Sequence, residues 1–120
     1  MRKKMIVVML FLFLLVGCSG TSKSTSVNYV EAKEKIINEQ ALLVDVRTKE
    51  EYNESHIDGA VLLTLDDINE ESAQEVIDSK DRVIIVYCKS GNRSKQALAI
   101  LNDLGYENVY DLGAMSNWKE

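Results

Sequence analysis

The sequence predicts an α/β domain, a mostly parallel sheet with helices on both faces. Strand-like and helix-like segments alternate along the chain, the pattern that builds such a sheet. The run "DRVIIVYC", residues 81–88, is β-branched and aromatic and apolar at both parities, as in a central strand covered on both sides. A short polar turn then leads into "SKQALAILNDLG", where Ala97, Ile100, Leu101 and Leu104 fall at helical spacing and Gly105 stands where a C′ cap belongs. With 120 residues there is room for one core and one domain, and 46% hydrophobic with 28% charged residues is an ordinary globular composition. Proline is absent, which excludes Pro-rich linkers and PxxP recognition segments.

Taken in order, the chain starts with Arg2, Lys3 and Lys4, continues with an unbroken apolar run from Met5 to Val16, and reaches Gly17. That is the layout of a signal peptide over residues 1–17. The run is shorter than the roughly 20 apolar residues that span a bilayer, and it lacks the polar face of a packed surface helix. "LVGC", residues 15–18, resembles a bacterial lipobox, which implies cleavage before Cys18 and a lipid on its sulfur; a short uncleaved anchor and an ordinary secretory signal are the alternatives. The small polar stretch "SGTSKSTS" reads as a tether, so residues 18–27 form a lipidated cysteine and linker, and residues 28–120 the domain. The expected location is the extracytoplasmic face of the cell membrane, through a lipid anchor.

Within the domain, residues 30–40 predict an amphipathic helix burying Val30, Ala32, Ile36 and Ile37. "ALLVDV" predicts a buried strand, and Thr48 with Glu51 has the capping-box spacing that starts a brief helix ending near Glu54 or Ser55. "GAVLLTL" reads as a strand, residues 69–80 as an outer helix with Val76 and Ile77 facing in, "NVYDL" as a last short strand, and "GAMSNWKE" as a terminal turn or helix. Helix faces carrying Glu70, Glu71 and Glu75 read as solvated surface.

Removal of residues 1–17 takes three cations and no acids, moving the formal charge from −5 to −8. An acidic domain with few aromatics has little to neutralise a phosphate backbone, so nucleic acid is not an expected partner. Of the two cysteines, one would carry lipid, which leaves Cys88 a free thiol on the oxidising side of a membrane.

The surroundings of Cys88 give that thiol a use. It ends the central strand, where such sheets bind ligands, and "CKSGNRS" follows. A thiol with a pKa of about 8.5 needs help to ionise. Amides of Lys89 to Ser94 can turn inward around the sulfur, and the following helix aims its positive end at the same point. Gly91 permits a positive φ, Arg93 offers a charged planar fork to an oxyanion, and Lys89 adds a cation at the rim. A buried inert cysteine would require none of these.

The chain from about residue 27 to 120 resembles the single-domain rhodanese family. The resemblance rests on "LLVDVRTKEEYNESHIDGA", with Asp45, Arg47, Glu51, Tyr52, His56, Ile57, Gly59 and Ala60; on "YCKSGNRS"; and on "GAMSNW", with Gly113 and Trp118. It implies a rhodanese-like three-layer fold with a central sheet of about five strands. The six-residue loop from Cys88 to Arg93 is the length the family uses for sulfur transfer; the phosphatase-type loop is one residue longer. Cys88 is then the catalytic nucleophile carrying a persulfide, with Lys89, Ser90, Gly91, Asn92, Arg93 and Ser94 lining the substrate pocket. The implied substrates are a small sulfur-containing anion such as thiosulfate and a thiophilic acceptor, cyanide or a thiol, with a protein acceptor also open. No cofactor or metal is implied, and the chain is expected to be a monomer.

Asp45 and Arg47 are expected to brace the site by hydrogen bonds and ion pairing, and His56, the lone histidine, to hold a turn, since a thiolate held by amides needs no base. Trp118 reads as a core or lid residue. The family's usual Asn and Pro after the "HIDGA" turn are missing from "VLLTLDD", Ala114 replaces a frequent Gly, and two residues follow Trp118, so the path after Ala60 and the enclosure of substrate are left open. A persulfide carrier or redox-sensing module serving a protein partner, and an arsenate-reductase or phosphatase relative, are the competing functions.

Overall fold

The computed structural model describes residues 25–119, so the signal-peptide segment and Cys18 lie outside the described residues. Four strands, β1 (Leu42–Asp45), β2 (Val61–Leu62), β3 (Ile84–Cys88) and β4 (Val109–Ala114), form one parallel sheet in the order β2-β1-β3-β4. Helices α1 (Tyr29–Glu39), α2 (Lys49–Glu54), α3 (Glu70–Val76) and α4 (Asn92–Asp103) alternate with the strands, and 3-10 turns occupy Leu65–Asp67 and Met115–Asn117.

All five residues of β3 are buried, and their alternation sorts the core into two halves. Ile84, Val86 and Cys88 pack with Val44, Ala73, Ile77, Ala97 and Leu101 on the α3–α4 side. Ile85 and Tyr87 pack with Ala32, Leu43, Ile57, Ala60 and Leu112 on the α1 side. The result is a three-layer α/β fold.

The sheet has four strands among the described residues, where about five were expected. Beyond β4 the backbone adds one parallel bridge: Asp111 N–H donates to the Thr25 carbonyl at 2.7 Å, and Val27 N–H donates to the Asp111 carbonyl at 3.0 Å. Thr25 to Val27, composed like tether, are thus fastened to the sheet edge, where unpaired backbone groups of β4 are available.

Helix α1 starts at Tyr29 because Asn28 caps it, accepting from Glu31 N–H while Glu31 accepts from Asn28 N–H. At 100° per residue its apolar positions divide between opposite faces. Ala32 is fully buried and Ile36 packs on the core, whereas Val30 and Ile37 are 63% and 69% exposed. The expectation that all four face inward is therefore corrected for two of them.

Helix α3 ends at Val76, well before residue 80; Ile77 turns extended with its side chain still in the core. The remaining polar residues make a turn, with Arg82 N–H on the Ser79 carbonyl at 3.1 Å and the Arg82 guanidinium on Asp78 at 2.9 Å. After Ala60 the open path resolves as a two-residue β2. The chain then follows the end of β1, with Leu63 N–H on the Asp45 carbonyl and Leu65 N–H on that of Val46.

Two backbone features bring the ends of β3 and β4 to the site. Helix α4 closes with a Schellman arrangement: Gly105 has φ of +102°, Gly105 N–H donates to Asn102, and Tyr106 N–H donates to Leu101. In β4 the register slips by one residue, since Val86 faces Asp111 but Tyr87 faces Gly113. Gly113 takes φ of +86° at this bulge and donates its N–H to Asp111 Oδ1 at 2.8 Å.

The two faces of helix contact predict opposite outcomes in denaturant unfolding. Leu101→Ala, fully buried, costs about 2–5 kcal/mol, and Ile37→Ala, on the exposed face, stays within about 0.5 kcal/mol of the parent.

Candidate active site

Cys88 is the last residue of β3 and is completely buried. Its sulfur accepts two backbone hydrogen bonds, from Gly91 N–H at 3.0 Å and from Ser94 N–H at 3.3 Å. The turn that makes this possible depends on Gly91, the N-cap of α4, held at φ of +100° with Gly113 and Ala114 of β4 in van der Waals range of where a Cβ would stand. Ser94 is buried in the first turn of α4, and its hydroxyl donates to the Gly91 carbonyl at 3.2 Å, closing the loop on itself.

Burial pushes the Cys88 thiol up, but the hydrogen bonds from Ser94 and Gly91 outweigh it, and the net shift is downward. The amide dipoles around the sulfur favour the thiolate over the thiol. Lys89, Ser90 and Asn92 are exposed and form the rim of the loop.

Arg93 is at the far end of the loop, and its fork is already occupied. Nη1 donates to Glu51 Oε1 at 2.8 Å and Nη2 to Oε2 at 3.0 Å, a two-pronged pair between α4 and α2. The fork expected to meet an oxyanion is thus held by Glu51 in this structure. Glu51 is itself fixed by α2: it closes the capping box, accepting from Thr48 N–H at 2.9 Å and the Thr48 hydroxyl at 3.0 Å. The Arg93 guanidinium, then the Thr48 backbone, hold its carboxyl down at about 2.

Asp45 and Arg47 lie at the end of β1 as a buried pair, Arg47 Nη2 on Asp45 Oδ2 at 2.7 Å and Nε on Oδ1 at 2.9 Å. Burying two charges is tolerable only with further partners. Arg47 N–H supplies one to Asp45, the Ser55 carbonyl accepts from Arg47, and the Tyr87 hydroxyl donates to Asp45 Oδ2 at 2.7 Å while accepting from Ile57 N–H at 3.1 Å. Burial raises the Tyr87 hydroxyl well above its ordinary value, so it stays a donor. This network pins the turn that carries His56 to the end of β3.

His56 is exposed and bonded within that turn: Nδ1 donates to the Tyr52 carbonyl at 2.8 Å and the ring stacks on Tyr52 at 3.8 Å. Trp118 packs edge-on against Tyr29 at 4.9 Å, on the α1 half of the core. The structure thus gathers Cys88, Gly91 and Ser94 around one sulfur, puts Arg93 beside them on Glu51, and places Asp45 and Arg47 in a bracing network; His56 is joined to Tyr52. Sequence reasoning gave no site role to Glu51 or Tyr87. Glu51 was visible as a cap and as part of the family-like motif, and Tyr87 looked like one more apolar residue of β3.

Comparison with known proteins gives this geometry a lineage. The chain is 38% identical over 74 residues, 62% of its length and 70% of the relative's, to thiosulfate sulfurtransferase PspE of Escherichia coli (strain K12). It is 30% identical over 94 residues, 78% of its length and 85% of the relative's, to thiosulfate sulfurtransferase GlpE of Coxiella burnetii (strain RSA 331 / Henzerling II). A solved structure described as a rhodanese with anions from E. coli superposes with a TM-score of 0.62 at 30% identity, covering 66% of this chain and 92% of that one. The rhodanese-like domain pattern matches residues 28–120, and the chain belongs to that family.

Proposed function

We propose that this protein is a rhodanese-type sulfurtransferase that carries sulfane sulfur on Cys88. The observation that carries the reading is the pair of amide hydrogen bonds, from Gly91 and Ser94, that converge on a sulfur at the carboxyl end of the central strand. The sulfurtransferase names of the PspE and GlpE relatives support it.

In the first half of the cycle the Cys88 thiolate attacks the outer sulfur of a thiosulfate-like donor. The donor's S–S bond breaks, sulfite departs with the bonding pair, and a Cys88 persulfide remains. Amide N–H groups that hold the thiolate then face a longer anion whose charge lies on the added sulfur, nearer the rim formed by Lys89, Ser90 and Asn92. In the second half a nucleophile, cyanide or a thiolate, attacks that outer sulfur and leaves as thiocyanate or a new persulfide, while the pair from the breaking S–S bond returns to Cys88. No external oxidant or reductant enters.

The proposal extends to location. The basic start, the apolar run from Met5 to Val16 and the "LVGC" segment support a lipid on Cys18 and an outward-facing domain. Six residues lie between Cys18 and Thr25, where the chain is fastened to β4, so seven Cα–Cα steps join them. A span of that length reaches roughly 25 Å at most, so the domain would work close to the lipid surface.

Two outcomes are expected. Purified protein supplied with thiosulfate and cyanide releases thiocyanate over many turnovers, and Cys88→Ser releases none; a persulfide that forms but does not turn over with small acceptors would transfer the reading to a carrier of sulfur for a protein partner. The thiolate also makes stability depend on pH. Its folded pKa is lower than that of the unfolded thiol, about 8.5, so the thiolate's contribution is fully present above the unfolded value and is lost as pH falls through the folded one. Unfolding free energies of the parent and Cys88→Ser, compared in urea across the neutral-to-alkaline range, diverge as pH rises and run parallel above about pH 9.

A further inference from the structure

The arginines at the carboxyl end of the sheet are cancelled. Arg47 is matched by Asp45 and Arg93 by Glu51, each through two guanidinium nitrogens, and Lys89 at the exposed rim is the remaining cation of the loop. The sulfur's own hydrogen bonds come from backbone N–H groups of Gly91 and Ser94. Amides stabilise a monoanion such as a thiolate or persulfide without bringing a full charge to meet a second negative charge on the donor.

Glu51 is placed to hold this state. Thr48 fixes its carboxylate through two hydrogen bonds at the start of α2, so it cannot swing away from Arg93 without opening the capping box. Arg93 lies within electrostatic range of Cys88, as their mutual interaction helps keep the guanidinium protonated. An uncompensated charge there would act directly on the sulfur and on whatever anion approaches it.

We propose that Glu51 is a positioning residue that sets the charge preference of the site: by occupying the Arg93 fork and cancelling its charge, it favours sulfur donors of charge −1 or 0, such as persulfides and thiosulfonates, over dianions. This rests on the sulfurtransferase reading and names the donor class that reading leaves open. Thiosulfate is then a donor the native site accepts with weak affinity.

The test uses two donors of the same S–S chemistry and different charge, thiosulfate at −2 and methanethiosulfonate at −1. Each gives up its outer sulfur to the Cys88 thiolate as its S–S bond breaks, releasing sulfite or methanesulfinate. Glu51→Gln preserves the shape of the cap and leaves Arg93 charged. Its expected effects are a thiosulfate KM lowered about fivefold relative to that for methanethiosulfonate, the scale of one partly exposed ion pair, and a Cys88 pKa lowered by about one unit, read from the pH dependence of alkylation by neutral iodoacetamide. A KM ratio and a thiol pKa that both match the parent overturn the proposal.

The double variant Glu51→Gln/Arg93→Gln removes both charges and keeps an amide pair. Its ratio of the two KM values is expected to stay within about twofold of the parent, since the charge removed with Arg93 was already cancelled. A ratio shifted about fivefold against thiosulfate would show that the native Arg93 charge is open to the dianion and would also overturn the proposal. Alkylation requires no sulfur transfer, so a protein that forms no persulfide from any donor defeats the sulfurtransferase reading while the thiol pKa still judges the role of Glu51.

Discussion

A helix begins with N–H groups that no carbonyl of its own can satisfy. Helices α1, α2 and α3 meet this with Asn28, Thr48 and Asn69, each in a capping box. Helix α4 begins on Gly91 without a side-chain cap of its own, and the Ser94 N–H, which a capping oxygen would otherwise satisfy, donates to the Cys88 sulfur. One sulfur therefore ends the central strand, caps α4 and is the atom proposed here to carry the transferred sulfur. The arrangement works because the same hydrogen bonds that complete the helix also favour the thiolate over the thiol.

Much of the remaining structure keeps that junction in register. The β4 bulge and the positive φ of Gly113 bring Ala114 against the turn at Gly91, so the loop has a backbone wall on one side. The Asp45–Arg47–Tyr87 network ties the end of β1 and the turn at Ile57 to the residue just before Cys88. Burying that pair is favourable only because its polar atoms find partners in Ser55, Tyr87 and backbone amides, which makes the network stiff as well as stable. Glu51 and Arg93 add a third tie, between the shortest helix and the loop. The site is a strand–turn–helix junction braced from three directions, with Lys89, Ser90 and Asn92 exposed at its rim.

Features encoded locally were legible in the sequence. The strand ending at Cys88, the helix ending at Gly105 and the Thr48–Glu51 cap each rest on a short run whose chemistry has one good solution. What could not be read depends on choices between faces and partners. Val30 and Ile37 are as apolar as Ala32 and Ile36, and only the packed sheet decides which pair is buried. The end of α3 at Val76 follows from the need to return the chain to β3, and the bridge at Ser26 from an open edge on β4. Within the site, the loop and its cysteine were evident. The partner of Arg93 was not, because Glu51 lies 42 residues away and has a sufficient local reason to be there. Tyr87 was hidden by the uniformly apolar run around it.

The proposed chemistry requires that the cradle at Cys88 accept and hold one sulfur atom. Intact mass of the purified protein, recorded before and after incubation with thiosulfate or methanethiosulfonate and again after addition of cyanide, addresses it directly, with Cys88→Ser as control. The expected result is a gain of about 32 Da on the parent alone, the mass of one sulfur held as a persulfide, and its complete loss to cyanide. A parent whose mass does not change with either donor, or a gain that Cys88→Ser shares, would contradict it.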